Sequence, residues 1–409
     1  MKHIAIFGYG VVGGGVTSVI EENREAIARV VGDEVDVKYI LDLRDFPDSP
    51  YGGRVVHDAS VIMDDPDVCL VAETMGGSHP AFELSTEALS RGKHVVTSNK
   101  EVVANFGDRL LACAAENGVS YLFEASVGGG IPVIRPFLTS LSGDTVVGIN
   151  GILNGTTNFI LSKMKSEKRA FDDVLKEAQV LGYAERDPSA DVDGIDAKRK
   201  IMILTALATG ILPDEGDVYA ESISGITPED VSAAERAGRV IKLIGSFRYE
   251  KGSPAIFVCP QMVKKDDILA GVDDVYNAIR VRCSVTGDVM FYGRGAGRFP
   301  TAGAVTADIV AALSGAAAAE HAPIFTKKSG SVADFDRVRF SYYIRLAGVS
   351  PSDAKEDLSR YFDRVEPVPG SPAGKAEFIC GEASGKELRA FLSSRENVES
   401  VIRLAEQIG

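Results

Sequence analysis

Cysteine and histidine are scarce in this chain, and their spacing excludes the sites that they usually build. The cysteines are scattered along 409 residues without a CxxC pair, which favours a reducing, cytoplasmic setting. They are Cys69, Cys113, Cys259, Cys283 and Cys380. The five histidines are isolated, with no HxH or HxxxH pair, so histidine offers no metal site.

Positive charge and long apolar runs are also in short supply. Lysine and arginine number 44 against 58 acidic residues, and the formal net charge of −14 argues against nucleic acid as a partner. The longest apolar run, IMILTALATGILP at 201–213, is shorter than the roughly 20 residues needed to cross a bilayer. The N-terminus MKHIAIFGYG has no continuous signal-peptide core. We therefore expect a soluble cytoplasmic protein with no membrane span.

The order of apolar and helical patterns predicts an α/β protein of three domains. Residues 1–130 alternate short apolar runs with helical patterns, as in a Rossmann-type, doubly wound parallel sheet. Residues 131–299 read as an α+β domain, and an Ala-rich helix within 300–330 returns to the first domain. Residues 334–409 predict a small βαββαβ domain.

A glycine-rich loop follows the first predicted strand. In IAIFGYGVVGGG, the three glycines of a GxGxxG motif enclose Tyr9, Val11 and Val12, directly before a helix. The first glycine permits the turn, the second lets the backbone approach a pyrophosphate, and the third lets helix and strand pack closely. The motif predicts dinucleotide binding by Gly8, Gly10 and Gly13 and their neighbours.

The second predicted strand, VKYILDL, ends near Asp42. A carboxylate there would bond both ribose hydroxyls of NAD and repel a 2′-phosphate, which favours NAD over NADP. Arg44 lies close enough to serve a 2′-phosphate instead. Asp42 could also simply begin a turn.

Further blocks of sequence make the chain resemble homoserine dehydrogenase over roughly residues 1–320. These blocks are AETMGG at 72–77, HVVTSNKEVVA at 94–104, EASVGGGIPVI at 124–134, GILNGTTNFIL at 151–161 and GRGAGRFPTAGAV at 293–305. The resemblance implies reversible NAD(P)-dependent interconversion of L-homoserine and L-aspartate 4-semialdehyde, in the pathway to threonine and methionine, by a homodimer or homotetramer. The resemblance also implies that residues 131–299 form the substrate-binding, catalytic and dimerisation domain, and the C-terminal domain is similar to an ACT domain.

The segment AERDPSADVDGIDAKRK, residues 184–200, carries the proposed chemistry. Asp196 and Lys200 lie four apart at the start of a predicted helix and so share one face. The resemblance assigns proton transfer to Lys200 and an orienting role to Asp196, whereas the plain alternative is an exposed ion pair. Lys100 matches the family's second active-site lysine, with a surface lysine that begins a helix as the alternative. Further dinucleotide contacts are implied at Thr74, Ser98, Lys100 and Gly297.

The resemblance also implies substrate and cation contacts. The substrate positions are Tyr183, Glu185, Asp191, Gly155 and Thr156, with Glu185 as the preferred partner of the ammonium. Arg186 stands where the family commonly has a proline, which predicts a less rigid loop. A monovalent cation, Na⁺ or K⁺, would bind main-chain oxygens of Glu124, Val127, Gly129 and Ile131; a flexible hinge is the alternative for this glycine-rich stretch.

Two rival functions remain open from the sequence. A semialdehyde dehydrogenase would need an activated cysteine near a histidine, but Cys69 and Cys113 lie in patterns that suggest burial. A catalytically silent, dinucleotide-binding amino-acid sensor would have no use for Glu185 and Lys200.

The ACT-like domain departs from its family at the effector loop. In LAGVSPSDAKEDL, residues 346–358, acidic side chains crowd the first helical turn and would repel an amino-acid carboxylate. We expect weakened or lost amino-acid sensing. The competing expectation is threonine feedback through a relocated site.

Overall fold

The computed structural model describes residues 1–319, 322–393 and 395–405. Residues 320 and 321 of the predicted returning segment, and residues 394 and 406–409 of the predicted ACT-like domain, lie outside the described residues. The chain divides into two compact units. Unit 1 comprises Met1–Thr145, Met202–Glu215 and Phe291–Lys328, and unit 2 comprises Val146–Ile201, Gly216–Met290 and Ser329–Gly409.

The strands are numbered in chain order. They are β1 Lys2–Phe7, β2 Val35–Leu41, β3 Val55–Val56, β4 Val68–Glu73, β5 His94–Thr97, β6 Tyr121–Leu122, β7 Val146–Ile152, β8 Ile211–Leu212, β9 Tyr219–Ala220, β10 Arg239–Glu250, β11 Ser253–Lys264, β12 Tyr276–Cys283, β13 Gly287–Arg294, β14 Thr326–Lys327, β15 Arg339–Ala347, β16 Val365–Pro367, β17 Lys375–Ser384 and β18 Val398–Leu404.

The α-helices are numbered in the same way. They are α1 Val11–Glu22, α2 Arg24–Val31, α3 Ser60–Met63, α4 Ala81–Ser90, α5 Lys100–Glu116, α6 Ile134–Leu138, α7 Gly155–Glu167, α8 Phe171–Val180, α9 Ser189–Val192, α10 Ile195–Thr209, α11 Pro228–Arg236, α12 Arg298–Leu313, α13 Ala316–Ala319, α14 Pro351–Leu358 and α15 Gly385–Leu392.

Unit 1 contains a six-stranded parallel sheet in the order β3-β2-β1-β4-β5-β6. Its central strand β1 is buried on both faces, because the run Ile4, Ala5, Ile6 and Phe7 is fully inaccessible to solvent. The strand order reverses its direction of winding between β1 and β4, and ligands of such sheets bind where the strands end at that switch point.

Helix α12 belongs to unit 1, where it packs against α1. A Cβ atom added to Gly15 of α1 would lie 2.9 Å from the Cβ atom of Ala302 and 3.0 Å from the carbonyl oxygen of Arg298. Only glycine therefore allows the two helices to approach this closely. Val305 and Ile309 of α12 extend the same core, which also contains Ile4 and Ile6 of β1.

Unit 2 is built on a sheet whose strands follow the order β13-β12-β7-β10-β11-β18-β15-β17-β16, with β9 beside β11. The long hairpin of β10 and β11 pairs twelve residues of each strand, from Arg239 opposite Lys264 to Glu250 opposite Ser253. Helix α10, which carries the proposed catalytic lysine, begins in this unit.

The C-terminal elements follow the predicted βαββαβ order, from β15 through α14, β16, β17 and α15 to β18. Their strands lie in the order β18-β15-β17-β16. Strand β18 also pairs in parallel with β11, Gln261 opposite Arg403 and Met262 opposite Leu404. Main-chain hydrogen bonds thus join the ACT-like strands to the hairpin in one sheet.

Among the described residues, no helix combines the length and the apolar character that crossing a bilayer would require.

Candidate active site

In the glycine loop of unit 1, the main-chain atoms of Gly8 and Gly13 lie in close contact. Gly8 has a φ of +87°, in the region that favours glycine. A Cβ atom on Gly13 would lie 2.1 Å from the carbonyl oxygen of Gly8 and 2.9 Å from Oγ1 of Thr74. No side chain therefore fits at position 13, and the first turn of α1 sits directly on the end of β1. Gly10, by contrast, has open space around it, which is the condition for a ligand to approach its backbone.

Two side chains hold this loop in place. Thr74, just beyond β4, donates its hydroxyl to the carbonyl oxygens of Gly8 at 2.7 Å and Phe7 at 3.1 Å. The Tyr9 hydroxyl lies 3.0 Å from Oγ of Ser49, and its ring packs edge-on against Phe46. The residues named from the sequence at this loop thus form one rigid turn at the carboxyl edge of the parallel sheet.

Asp42 follows β2, and its carboxylate is hydrogen-bonded to the glycine loop. Its Oδ2 accepts the backbone N–H of Tyr9 at 2.8 Å, and the backbone N–H and Nε of Arg44 donate to its Oδ1 at 3.0 Å each. The hydrogen bond from the Arg44 side chain lowers the pKa of Asp42 to about 2. The carboxylate is therefore ionised across the physiological range. This arrangement fits a dinucleotide whose ribose hydroxyls require an anionic acceptor.

Strands β4 and β5 end near Ser98 and Lys100. Lys100 is the half-buried first residue of α5, and the Asn99 side chain caps that helix by accepting the N–H groups of Glu101 and Val102 at 3.2 Å. Glu73 ends β4 and accepts the Thr97 hydroxyl at 2.6 Å; burial raises its pKa to about 7. The sequence reasoning did not single out Asn99 or Glu73.

Gly297 precedes α12 with a φ of +124°, a backbone conformation that L side chains rarely adopt. The resemblance implies a dinucleotide contact at Gly297, and this conformation explains why a glycine stands there. The side chain of its neighbour Arg298 donates to Oγ of Ser18 in α1 at 3.1 Å.

A buried cluster surrounds the proposed catalytic lysine in unit 2. Lys200 is 7% exposed and Asp196 4% exposed, and Nζ of Lys200 donates to Oδ2 of Asp196 at 2.7 Å. The same Nζ donates to the carbonyl oxygen of Leu153 at 2.8 Å. The alternative of an ordinary exposed ion pair is wrong, because water is excluded from both groups. A buried ammonium held by a carboxylate and a carbonyl has a fixed position.

Asn154 joins the members of this cluster, although the sequence reasoning did not name it. Its Nδ2 donates to Asp191 Oδ1 at 2.7 Å and to Asp196 Oδ2 at 2.9 Å. Its Oδ1 accepts the N–H of Thr157 at 2.8 Å and so caps α7. The available signal was its position directly before GTTN, where asparagine commonly begins a helix. Asp191, Asp196 and Lys200 are thus brought together by one amide.

The other predicted substrate residues lie around the start of α7 and the end of α8. The Thr156 hydroxyl donates to the carbonyl oxygen of Tyr183 at 2.6 Å, and Tyr183 remains 43% exposed. A Cβ atom on Gly155 would lie 2.8 Å from the carbonyl oxygen of Val275. Glu185 is exposed, and its side chain makes no hydrogen bond or ion pair with the described residues. The structure therefore gathers Asp191 into the cluster but leaves Glu185 outside it.

The loop EASVGGGIPVI turns its backbone sharply, with φ of +74° at Gly128 and +56° at Gly129. The Glu124 carboxylate accepts the N–H groups of Val133, Ile134 and Arg135 at 2.6 to 2.8 Å, which fixes the loop and the start of α6. Within the described chain, the carbonyl oxygens of Val127, Gly129 and Ile131 accept no hydrogen bond. Main-chain oxygens of this kind fit a hard cation. Side-chain clusters that could hold a metal are absent among the described residues.

Comparison with known proteins decides the family. A family model described as "Homoserine dehydrogenase" matches residues 132–310, and one described as "Homoserine dehydrogenase, NAD binding domain" matches residues 8–124. The chain belongs to the homoserine dehydrogenase family. The homoserine dehydrogenase of Neisseria gonorrhoeae is 38% identical over 84% of this chain and 81% of its own length. The predicted family and α/β fold class are therefore confirmed.

Solved homoserine dehydrogenase structures share the fold. The crystal structure of the Thiobacillus denitrificans enzyme aligns with 100% of this chain, and the alignment covers 98% of that enzyme's chain. Its TM-score is 0.88 and its sequence identity 36%. A hyperthermophilic archaeal homoserine dehydrogenase, solved in complex with NADPH, covers 76% of this chain and 97% of its own, with a TM-score of 0.65 and 30% identity.

Proposed function

We propose that this chain catalyses the reversible interconversion of L-homoserine and L-aspartate 4-semialdehyde, and that Lys200 carries the proton. As a member of its family the chain is an NAD(P)-dependent oxidoreductase acting on a CH–OH group. The observation that carries the proposal is the buried cluster of Lys200, Asp196, Asn154 and Asp191. A binding module for dinucleotides alone has no need of a buried lysine held between a carboxylate and a carbonyl.

Lys200 serves as the acid/base group at the substrate hydroxyl. Oxidation removes a hydride from the carbinol carbon and a proton from the oxygen, so a base must lie at that oxygen. The chemistry that a bound nicotinamide supplies is the hydride transfer. Asp196 and the carbonyl of Leu153 hold Nζ of Lys200 at 2.7 and 2.8 Å, which orients the lysine and stabilises it when protonated. We also propose a catalytic role for Lys100, which lies at the carboxyl edge of the parallel sheet of unit 1.

Asp191 and Glu185 provide negative charge for the substrate ammonium. Asp191 is fixed by Asn154 at 2.7 Å, whereas Glu185 stands on an exposed turn. Tyr183, Gly155 and Thr156 complete the substrate contacts. The hydrogen bond from Thr156 to the Tyr183 carbonyl supports this grouping, since it ties the start of α7 to the turn that leads to Glu185.

The dinucleotide would be held by the glycine loop, with NAD favoured over NADP. Gly8, Tyr9, Gly10, Val11, Val12 and Gly13 form the turn for the pyrophosphate, and Thr74, Ser98, Lys100 and Gly297 add contacts. The preference for NAD rests on Asp42, whose ionised carboxylate would repel a 2′-phosphate. Arg44 counters that repulsion in part, because its guanidinium lies directly on the Asp42 carboxylate.

A monovalent cation, Na⁺ or K⁺, would bind the main-chain oxygens of Glu124, Val127, Gly129 and Ile131. The carbonyl oxygens of Val127, Gly129 and Ile131 support this assignment, because they accept no hydrogen bond from the described residues and the left-handed turns at Gly128 and Gly129 bend the loop between them. We also propose the homodimer or homotetramer, the cytoplasmic setting and the three functional domains predicted from the sequence.

The rival that uses a covalent thioester gains no support from the cysteines. Cys69 and Cys113 are half-buried, less so than their patterns suggested, and burial raises the pKa of the Cys69 thiol. Cys259 and Cys380 are buried, with pKa values raised to about 12. A nucleophilic cysteine needs a lowered pKa.

The test is NAD(P)H formation from L-homoserine, followed by absorbance at the nicotinamide band, with 4-hydroxybutanoate as the matched alcohol that lacks the amino group. We expect rapid reduction with homoserine, slow reduction with the analogue, and no effect of mild thiol alkylation. The silent-sensor alternative predicts no reduction with either alcohol, and the thioester alternative predicts loss of activity after alkylation.

A further inference from the structure

We propose that the ion pair between Glu221 and Arg403 is a positioning element for the substrate site, through which the C-terminal strands set the affinity for the amino-acid substrate. The inference rests on the function proposed above for Asp191 and Lys200. The two residues are 182 apart in the sequence, and neither touches the lysine cluster directly in the described contacts. Their effect on the cluster must therefore pass through the chain segments that lie between the ion pair and the cluster.

Arg403 projects from β18, the last strand of the ACT-like elements. Its guanidinium forms the ion pair with Glu221 and is only 14% exposed. It also lies over the rings of Tyr219 and Phe335, 5.5 and 5.0 Å from their centroids. Those two rings stack on each other with centroids 3.8 Å apart. Arg403 therefore holds the segment that carries Tyr219 and Glu221 by charge and by ring contact together.

The segment from Tyr219 to Ile223 is fixed on one side by the hairpin. Strand β9 pairs in parallel with β11, and the N–H of Glu221 donates to the carbonyl oxygen of Val258 at 2.9 Å. The Tyr219 hydroxyl donates to Oε2 of Glu221 at 2.7 Å. The carboxylate of Glu221 thus receives hydrogen bonds from both the tyrosine and the arginine, which restricts its backbone.

On its other side the segment is hydrogen-bonded to the turn that directly follows Asp191. Oγ of Ser222 and the backbone N–H of Ile223 both donate to the carbonyl oxygen of Val192, each at 3.0 Å. A Cβ atom on Gly194 would lie 3.2 Å from Cγ1 of Val258 and 3.5 Å from the carbonyl oxygen of Glu221. Packing and two hydrogen bonds therefore set the position of residues 192–194.

Those residues lie between two members of the lysine cluster. Val192 directly follows Asp191, which accepts from Asn154 at 2.7 Å, and Gly194 lies two residues before Asp196. A shift of the Val192 carbonyl would move Asp191 away from Asn154 while Lys200 keeps its contacts with Asp196 and Leu153. The pair should consequently affect the binding of the ammonium more than the proton transfer, because the proton-transfer group has separate supports.

The test uses Glu221→Gln, Arg403→Gln, the double variant and the control Arg345→Gln. Arg345 forms another buried ion pair between the C-terminal strands and α11, with Asp230 at 3.0 Å, but neither partner bonds to residues 189–196 in the described part of the chain. We expect each single variant of the pair to raise KM for homoserine about tenfold, with kcat and KM for the dinucleotide within about twofold. The double variant should raise KM by less than the product of the two single effects, since both single variants remove the same ion pair. Arg345→Gln should lower the melting temperature without this rise in KM.

An equal rise in KM for Arg345→Gln, or an unchanged KM in Glu221→Gln, would overturn the positioning role. Hydrogen exchange of the peptide 187–200, measured without substrate, should be faster in both single variants than in wild type; unchanged exchange would also count against the proposal. If wild type fails to oxidise homoserine, the proposed function fails, whereas the exchange measurement still decides whether the pair holds this segment.

Discussion

In the glycine loop, Gly8 and Gly13 allow close backbone contact because they have no side chains, whereas the lysine cluster is built mainly from side-chain atoms, with the Leu153 carbonyl oxygen as its main-chain member. The close contact that shapes the loop joins Gly8 and Gly13 within one short motif, and Thr74 and Asp42 then hold the loop from distant positions of the chain. The cluster combines Leu153, Asn154 and Asp191 with the helix that carries Lys200. The comparison teaches that a short motif encodes the turn itself, whereas the cluster exists only through tertiary contacts.

The largest effect is expected for Lys200→Ala, which removes the acid/base group from the cluster and leaves the loop intact. Turnover with homoserine should fall by about 10²- to 10⁴-fold. Lys176→Ala, at an exposed position on α8, is the matched control and should leave turnover unchanged. Steady-state kinetics at saturating dinucleotide measures both. Near-normal turnover of Lys200→Ala would remove this lysine from the mechanism.

Glu185→Ala tests whether an exposed carboxylate outside the buried cluster still takes part in substrate binding. Loss of a charged hydrogen bond to the ammonium should raise KM for homoserine about 10- to 100-fold, with a smaller change in kcat. Glu177→Ala, which removes a carboxylate of α8 that pairs with Arg169, is a suitable control. If KM does not change, Asp191 alone holds the ammonium.

Asn154→Asp sharpens the comparison, because it keeps the helix cap and removes the donor that joins the carboxylates. Aspartate caps a helix about as well as asparagine, but repulsion among three adjacent carboxylates should lower the melting temperature at neutral pH, and this loss should shrink as the pH falls. Three carboxylates in contact would raise one another's pKa, and the acid limb of the pH–rate profile should therefore move to higher pH. We expect kcat/KM near neutral pH to fall about tenfold. A profile that coincides with wild type would show that Asn154 does not organise the site.

Asp42→Asn addresses the side chain that belongs to the loop. Removing its charge should shift the ratio of kcat/KM for NAD to that for NADP about tenfold toward NADP. Because the pKa of Asp42 is lowered to about 2, the carboxylate stays ionised above that value, and the wild-type ratio should not vary between pH 6 and 9. A clear NADP preference in wild type would mean that Arg44 governs the ribose site.

The smallest effect is expected from threonine. The first turn of α14 carries Asp353, whose charge would repel an amino-acid carboxylate, so millimolar threonine should change the homoserine rate less than about twofold. Strong inhibition by threonine in the wild-type chain would favour a relocated effector site.

Short-range patterns in the sequence predicted the α/β order, the glycine turn and the shared face of Asp196 and Lys200. They could not predict that Asn154 would join carboxylates 37 and 42 residues away, because such contacts depend on how α7, α9 and α10 meet. Burial of the lysine pair was missed for the same reason, since a D-x-x-x-K spacing looks alike on an exposed helix. The pairing of β18 with β11 joins residues 142 apart, Gln261 and Arg403, and has no local signal.

The most direct test of this division of roles measures dinucleotide affinity and turnover in the same two variants, Gly13→Ala and Lys200→Ala. A Cβ atom on Gly13 would lie 2.1 Å from the Gly8 carbonyl oxygen, so this variant must distort the loop. We predict at least about tenfold weaker dinucleotide binding by Gly13→Ala, and wild-type binding with turnover lower by orders of magnitude for Lys200→Ala. Equal losses of dinucleotide affinity in both variants, or normal turnover in Lys200→Ala, would contradict the account.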